Sequence, residues 1–323
     1  MYYKFSFLKQ KYIMLAFFVF ALYSCSKNPQ ALYEKGNEAF ARGNYYMAID
    51  YYTKAVMLKN KFPEAITSRA LAYEELGQKQ KAIYEYEKAI YVDKDYLPAY
   101  NNLASMHIEA GNYKDAIYYL SEALKVKPDY YYALYSMGLC HYLTKNYDKA
   151  LEYFKKAIDI KETDMAKYYL AMTYYALGDR LEALNLLDSI NSESNDYLSF
   201  LKGKIKYELN DETAGNDFDN ALKIKENHLY YYYRALNHFK YSNYENSISD
   251  AEKAISLTDN KNPLYLELMG DIYVKLGKKE IALNYYKNAY ELDNNRKIYG
   301  KIVSIESSNK KEGVRKYGRK KGK

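Results

Sequence analysis

The stretch Asn112-Tyr113-Lys114-Asp115-Ala116-Ile117-Tyr118-Tyr119-Leu120-Ser121-Glu122-Ala123 returns 34 residues on as Asn146-Tyr147-Asp148-Lys149-Ala150-Leu151-Glu152-Tyr153-Phe154-Lys155-Lys156-Ala157. In each copy a small residue is followed by a bulky one four later and a second small one three after that. Those offsets place all three on one face of a helix. Working outward, Ala48, Ala82, Ala116 and Ala150 recur every 34 residues, and Ala183, Ala214, Ser247 and Ala282 follow at 33, 31, 33 and 35. A unit of about 34 residues repeated along a chain predicts a helical solenoid built from helix-turn-helix hairpins.

A further small residue stands twelve positions earlier, in the first helix of each unit. The complete sets read Gly36, Ala48, Tyr52, Ala55; Ala70, Ala82, Tyr86, Ala89; Ala104, Ala116, Leu120, Ala123; and Gly138, Ala150, Phe154, Ala157. They continue as Ala171, Ala183, Leu187, Ile190; Ala235, Ser247, Ala251, Ala254; and Gly270, Ala282, Tyr286, Ala289. One unit, near residues 196–227, is irregular: Gly203, Ala214, Phe218 and Ala221 fit only if its inner turn is one residue short. Small residues let the paired helices approach closely, and the large one fills the space towards the next unit. Pro29, Pro63, Pro98 and Pro263 fall at or beside first-helix starts, and Pro128 lies just before another. Gly43, Gly77, Gly111, Gly178 and Gly277 fall where a left-handed residue ends a first helix. No alternating strand pattern occurs.

This pattern resembles the tetratricopeptide repeat over residues 29–296. The resemblance implies an all-α, right-handed superhelical solenoid of about eight repeats, with residues 297–309 as a C-terminal capping helix. Each unit packs only on its neighbours, so one continuous domain is expected despite the length of 323 residues.

Residues 1–24 read as an export signal, with Lys4, Lys9 and Lys11 ahead of an apolar run from Tyr12 to Tyr23. That run falls short of the roughly 20 residues a spanning helix needs. Leu22-Tyr23-Ser24-Cys25 resembles a bacterial lipobox, with Tyr23 where a smaller residue is usual. The resemblance implies cleavage before Cys25, acylation of that cysteine, and a short tether at residues 25–28. An ordinary cleaved signal or an uncleaved apolar anchor is the alternative. The expected location is the bacterial cell envelope, with inner and outer membrane both open. Cys140 is then left without a partner, and no disulfide is expected.

After Asn309, eight basic residues and one acid give residues 310–323 a charge equal to the net +7 of the whole chain. The basic character belongs to this tail, which is expected to be disordered and solubilising. It also offers a site for anionic lipid or an acidic envelope polymer. Export argues against nucleic acid as a partner.

First helices are expected to line the concave surface, with residues about three either side of the small position facing inward. Early repeats are mixed there. From the fourth repeat the positions become aromatic: Tyr132, Tyr135 and Tyr142; Tyr168, Met172 and Tyr175; Tyr197 and Phe200; Tyr232 and Phe239. The last repeat reverts to Glu267, Asp271 and Val274. Tyrosine combines contact area, low entropy cost and a hydroxyl, which suits a protein or peptide segment. The chain holds 44 tyrosines and no tryptophan, so compositional bias is the rival source of this run.

No catalytic constellation is present, and neither cofactor nor metal is expected. His107, His141 and His238 sit three after a first-helix small residue and read as substitutes for a packing aromatic. Tyr73, Tyr174 and Tyr273 hold the same position. The reading is a membrane-anchored scaffold, not an enzyme, binding a partner segment in its aromatic groove for envelope assembly or enzyme recruitment. The alternative is a carbohydrate-capture lipoprotein whose aromatics stack on sugars.

Overall fold

In the computed structural model, the structure describes residues 28–190 and 195–320, with side chains through residue 308. The signal segment, Cys25 and most of the tether lie outside the described residues. Among the described residues there are 17 helices and no strand, and the chain divides into two compact units.

Unit 1, ending at Leu177, holds α1 (Pro29–Ala41), α2 (Tyr45–Leu58), α3 (Pro63–Glu75), α4 (Lys79–Val92), α5 (Leu97–Glu109), α6 (Tyr113–Val126), α7 (Tyr131–Leu143), α8 (Tyr147–Ile160) and α9 (Asp164–Leu177). Unit 2, from Gly178, holds α10 (Arg180–Asp188), α11 (Asp196–Glu208), α12 (Ala214–Ile224), α13 (His228–Lys240), α14 (Tyr244–Ser256), α15 (Pro263–Lys275), α16 (Lys279–Asp293) and α17 (Arg296–Lys320). Within each unit, sequential helices pack antiparallel as hairpins and each hairpin packs on the next.

The small residues sit where the helices meet. Ala48, Ala82, Ala116, Ala150, Ala183, Ala214, Ser247 and Ala282 are all fully buried. Glycine in the first helix marks the tightest approaches: a Cβ on Gly138 would lie 2.6 Å from the Phe154 ring, and one on Gly203 2.8 Å from Phe218. The turns use left-handed residues, glycine at Gly43, Gly77, Gly111, Gly178 and Gly277, and Lys145, Asn210 and Ser242 in the three remaining hairpins. Prolines stand in the first turn of α1, α3, α5 and α15.

The irregular sixth repeat is shortened as its spacing requires. Its second helix, α12, begins at Ala214 itself, whereas α2 begins three residues before Ala48. Asn210 takes the left-handed turn and the Asp211 carboxylate accepts from both the N–H and the hydroxyl of Thr213, each at 2.8 Å. Gly203, Ala214, Phe218 and Ala221 are nevertheless buried in the ordinary register.

The last helix covers repeat eight. Ile298, Ile302 and Ile305 form its buried stripe, spaced to face α16 along one side. Its bounds run on to Lys320, past the expected tail boundary at residue 310. Lysine, arginine and glutamate are good helix formers, and no proline interrupts them.

Candidate binding groove

The predicted groove residues fall into two aromatic clusters, one in each unit. In unit 1, Tyr169 of α9 is the hub. Its ring lies 6.1 Å from Tyr135, 5.8 Å from Tyr142 and 5.9 Å from Phe154 (centroid distances), with Tyr168 edge-on at 5.3 Å. Tyr135 stacks in turn on Tyr131, whose hydroxyl shares a 2.7 Å hydrogen bond with Thr163. Tyr132 packs edge-on against Tyr131 and keeps 49% of its surface exposed. Met172 and Tyr175 lie half-buried further along α9.

In unit 2 the hub is Tyr233 of α13. It lies 5.3 Å from Phe200, 6.5 Å from Tyr207, 6.2 Å from Phe218 and 5.7 Å from Tyr232. Tyr232 packs on Tyr265 at 4.6 Å, Phe239 packs on Tyr244, and Tyr197 leans on Phe200 while staying 45% exposed. Tyr169 and Tyr233 occupy the same register, two residues before the small first-helix residue. Each reaches back to the equivalent positions of the preceding hairpin: three before its glycine, four after it, and the second-helix phenylalanine.

Phenylalanine explains why the clusters form there. In repeats one, two and eight the large residue is tyrosine, and its hydroxyl donates to a groove residue: Tyr52 to Asn37 at 2.8 Å, Tyr86 to Glu74 at 2.9 Å and Tyr286 to Asp271 at 2.6 Å. Phe154 and Phe218 have no hydroxyl to satisfy. The space above them is apolar, and a ring from the following repeat fills it.

Three corrections to the sequence reading follow. Phe200 is buried, at 4% exposure, and stacks on Tyr230 at 4.7 Å, so it is a core residue rather than a groove surface. Tyr169 and Tyr233 were missed because a symmetric window three residues either side of the small position skips the offset of minus two. The doubled tyrosines Tyr168-Tyr169 and Tyr232-Tyr233 carried the signal, since consecutive helical residues point about 100° apart and one of each pair must turn toward the neighbouring repeat.

Burial raises Tyr135 and Tyr207 above the ordinary tyrosine value and pushes Tyr232 up to about 12. Cations sit closer to the heart of the unit 2 cluster, with Lys204 over the hub Tyr233 at 5.6 Å and Lys240 over Tyr207 at 4.5 Å, whereas in unit 1 Lys161 covers only the peripheral Tyr131, at 5.7 Å.

The histidines pack as their positions suggest. His107 stacks on Tyr119 at 5.6 Å and His141 on Tyr153 at 5.5 Å, the same geometry that Tyr273 adopts on Tyr285. His238 meets an acid at the equivalent place, Asp250 at 3.7 Å, and burial lowers its pKa, as burial also lowers that of His141. Cys140 is fully buried and its thiol is pushed up to about 12, so thiolate chemistry is closed to it. Among the described residues no cluster of His, Cys, Asp and Glu has the arrangement to hold a metal ion, and no helix is long and apolar enough to cross a membrane.

Models of the tetratricopeptide repeat match residues 29–62, 63–96 and 265–296 in one version and 95–163 in another. The chain is a tetratricopeptide-repeat protein. Residues 164–264 lie outside the matched ranges, yet their hairpins continue the same architecture. Among solved structures, the tetratricopeptide fold is shared with pilF of Pseudomonas aeruginosa (TM-score 0.55, 20% identity, 61% of this chain and 91% of that one). It is shared also with a chain of the APC/C hetero-tetramer Cut9-Hcn1 (TM-score 0.54, 16% identity, 87% of this chain and 56% of that one). At these identities the likeness is one of fold. No curated protein sequence matches. Tetratricopeptide arrays are scaffolds suited to binding protein partners, which is the coarse function of this chain.

Proposed function

We propose that this chain is a lipid-anchored tetratricopeptide scaffold that holds a segment of a partner protein on its tyrosine-rich first helices, serving assembly or enzyme recruitment at a bacterial cell envelope. The observation that carries the groove is the recurrence of one aromatic arrangement in both units, each with a rim tyrosine left about half exposed, Tyr132 and Tyr197. Compositional bias scatters tyrosines; it does not reproduce a hub and its three neighbours at matching positions. The buried members preorganise the exposed ones, so a bound segment pays little ordering cost on the receptor side. The anchor rests on the sequence of residues 1–25, and the basic residues after Asn309 offer a second, electrostatic contact with anionic lipid.

The test places a photo-crosslinking amino acid singly at Tyr132, Tyr197 and, as an outer-face control, Glu152, in cells of the source organism. The expected result is a discrete crosslinked protein band from the first two positions and none from the third, with mass spectrometry mapping the segment. Crosslinks to glycan at the same positions would replace this reading with sugar capture. Absence of any adduct specific to Tyr132 or Tyr197 would remove the groove as a site. Metabolic labelling with a fatty acid, lost in Cys25→Ala, tests the anchor separately.

A further inference from the structure

The outward pole of the second helices changes character along unit 1. Positions two before, two after and nine after the second-helix small residue lie within about 40° of one another and opposite the buried face. In α2, α4 and α6 these positions hold Tyr46, Met57, Tyr84, Tyr91 and Tyr118, each 60–85% exposed. Lys114 and Lys125 stand with them, and the one acid, Asp50, is paired with Lys54 at 2.5 Å. In α8 the same three positions are Asp148, Glu152 and Asp159, all exposed. Unit 2 has no tyrosine there, and carries Glu245, Glu280 and Glu291 instead.

We infer that the outer face of repeats one to three is a membrane-resting surface, seated on the headgroup region of the bilayer that holds the N-terminus. The inference rests on the lipid-anchor reading above. Isolated exposed tyrosines need no explanation, but four tyrosines and a methionine repeated at one helical pole do. Tyrosine favours the membrane interface, where its ring meets acyl chains and its hydroxyl meets headgroups, and methionine adapts to the same boundary. Lys114 attracts anionic headgroups, and Asp148 and Asp159 of α8 are repelled by them, which sets the edge of the contact; Lys125, Asp50 and Glu152 are each balanced by a neighbour of opposite charge. Distance agrees: α1 starts at Pro29, so Cys25 lies within four residues, or about 14 Å of extended chain, of the first hairpin. A lipid on Cys25 alone would leave the solenoid free to swivel. A second contact along three repeats fixes which way its concave face looks.

The full chain, expressed with its own N-terminal sequence, is reconstituted into vesicles of phosphatidylethanolamine and phosphatidylglycerol at a ratio of about three to one. An environment-sensitive fluorescent amino acid replaces Met57, Tyr91 or Tyr118 singly, with Glu152 and Glu245 as controls. Brominated acyl chains are expected to quench the first three positions at least about threefold more than the controls. If the protein floats with the vesicles and all five positions are quenched equally, the membrane-resting face is wrong and the anchor stands. Loss of flotation altogether would overturn both. Shielding of the three positions from aqueous iodide without quenching by bromolipid would mean that protein, not lipid, covers this face, and would likewise overturn the inference.

Discussion

Around Tyr169 the close neighbours are rings, whereas around Tyr233 lysines share the space and the very next residue is a partly buried arginine. Arg234 donates to Asp250 at 2.6 and 2.8 Å and to Asp219 at 2.7 Å, tying α13 to the second helices on either side of it. A related strut exists in unit 1, where Arg69 reaches Glu85 at 2.6 Å and Thr53 at 3.0 Å, but it lies in repeat two, well away in sequence from the Tyr169 cluster. One arrangement of rings is therefore held in two ways. The unit 1 cluster rests chiefly on ring packing, with the Tyr131–Thr163 hydrogen bond and Lys161 over Tyr131 at its edge. The unit 2 cluster, built on a hairpin that has lost a residue from its turn, has ionic ties beside it.

The largest effect is expected from cutting those ties. Arg234→Met leaves the buried Asp250 with only the longer His238 contact in place of two guanidinium bonds, a loss of about 3–5 kcal/mol by analogy with broken buried pairs. Urea unfolding measures it, and a loss below about 1 kcal/mol would mean the charges contribute little to unit 2. Next come the rings themselves. Phe200→Ala empties a core site and should cost about 3–5 kcal/mol, while Tyr135→Ala, only partly buried at the equivalent position, should cost about 1–2 kcal/mol. Equal losses would erase the distinction between core and groove drawn here.

Of similar size to the Tyr135 loss is Gly138→Ala against Gly203→Ala, each expected to lose about 1–3 kcal/mol through overpacking against phenylalanine. The second should be the worse, because its Cβ would also meet the Ala214 carbonyl oxygen at 3.2 Å, which cannot swing aside. Hydrogen exchange in α7 and α8, compared with α11 and α12, reports where each loosens. The smallest effect is Lys240→Gln, which removes a cation over Tyr207 and should change stability by about 0.5–1 kcal/mol. A Tyr169 cluster that responds to salt as strongly as the Tyr233 cluster would contradict the contrast.

Much of the fold was legible because close packing leaves a trace in residue size. A helix pair that touches at Ala48, Ala82 or Ala116 tolerates nothing larger, so the period is written directly in alanine. The short sixth repeat was legible for the same reason, since Gly203, Ala214 and Phe218 had to meet whatever the turn between them did. The groove was less legible. Tyrosine is used for burial at Tyr52, Tyr86 and Tyr286 and for exposure at Tyr132, so its identity does not say which side it serves. Phe200 was misread because two rings of the following hairpin, Tyr230 and Tyr233, close over it. Tyr169 and Tyr233 depend on contacts between hairpins, which a pattern defined within one hairpin does not encode.

Lys301 stands on α17 where a ninth repeat would place its first inward-facing residue, and it binds Glu267 at 2.7 Å and Asp271 at 2.5 Å while covering the Tyr286 ring. Stacked hairpins are open-ended by nature, and the exposed end of one array is a template for the start of another. Here an ammonium group held by two carboxylates fills that template, and anything stacking head-to-tail on this end of the array would have to displace it from both acids at once.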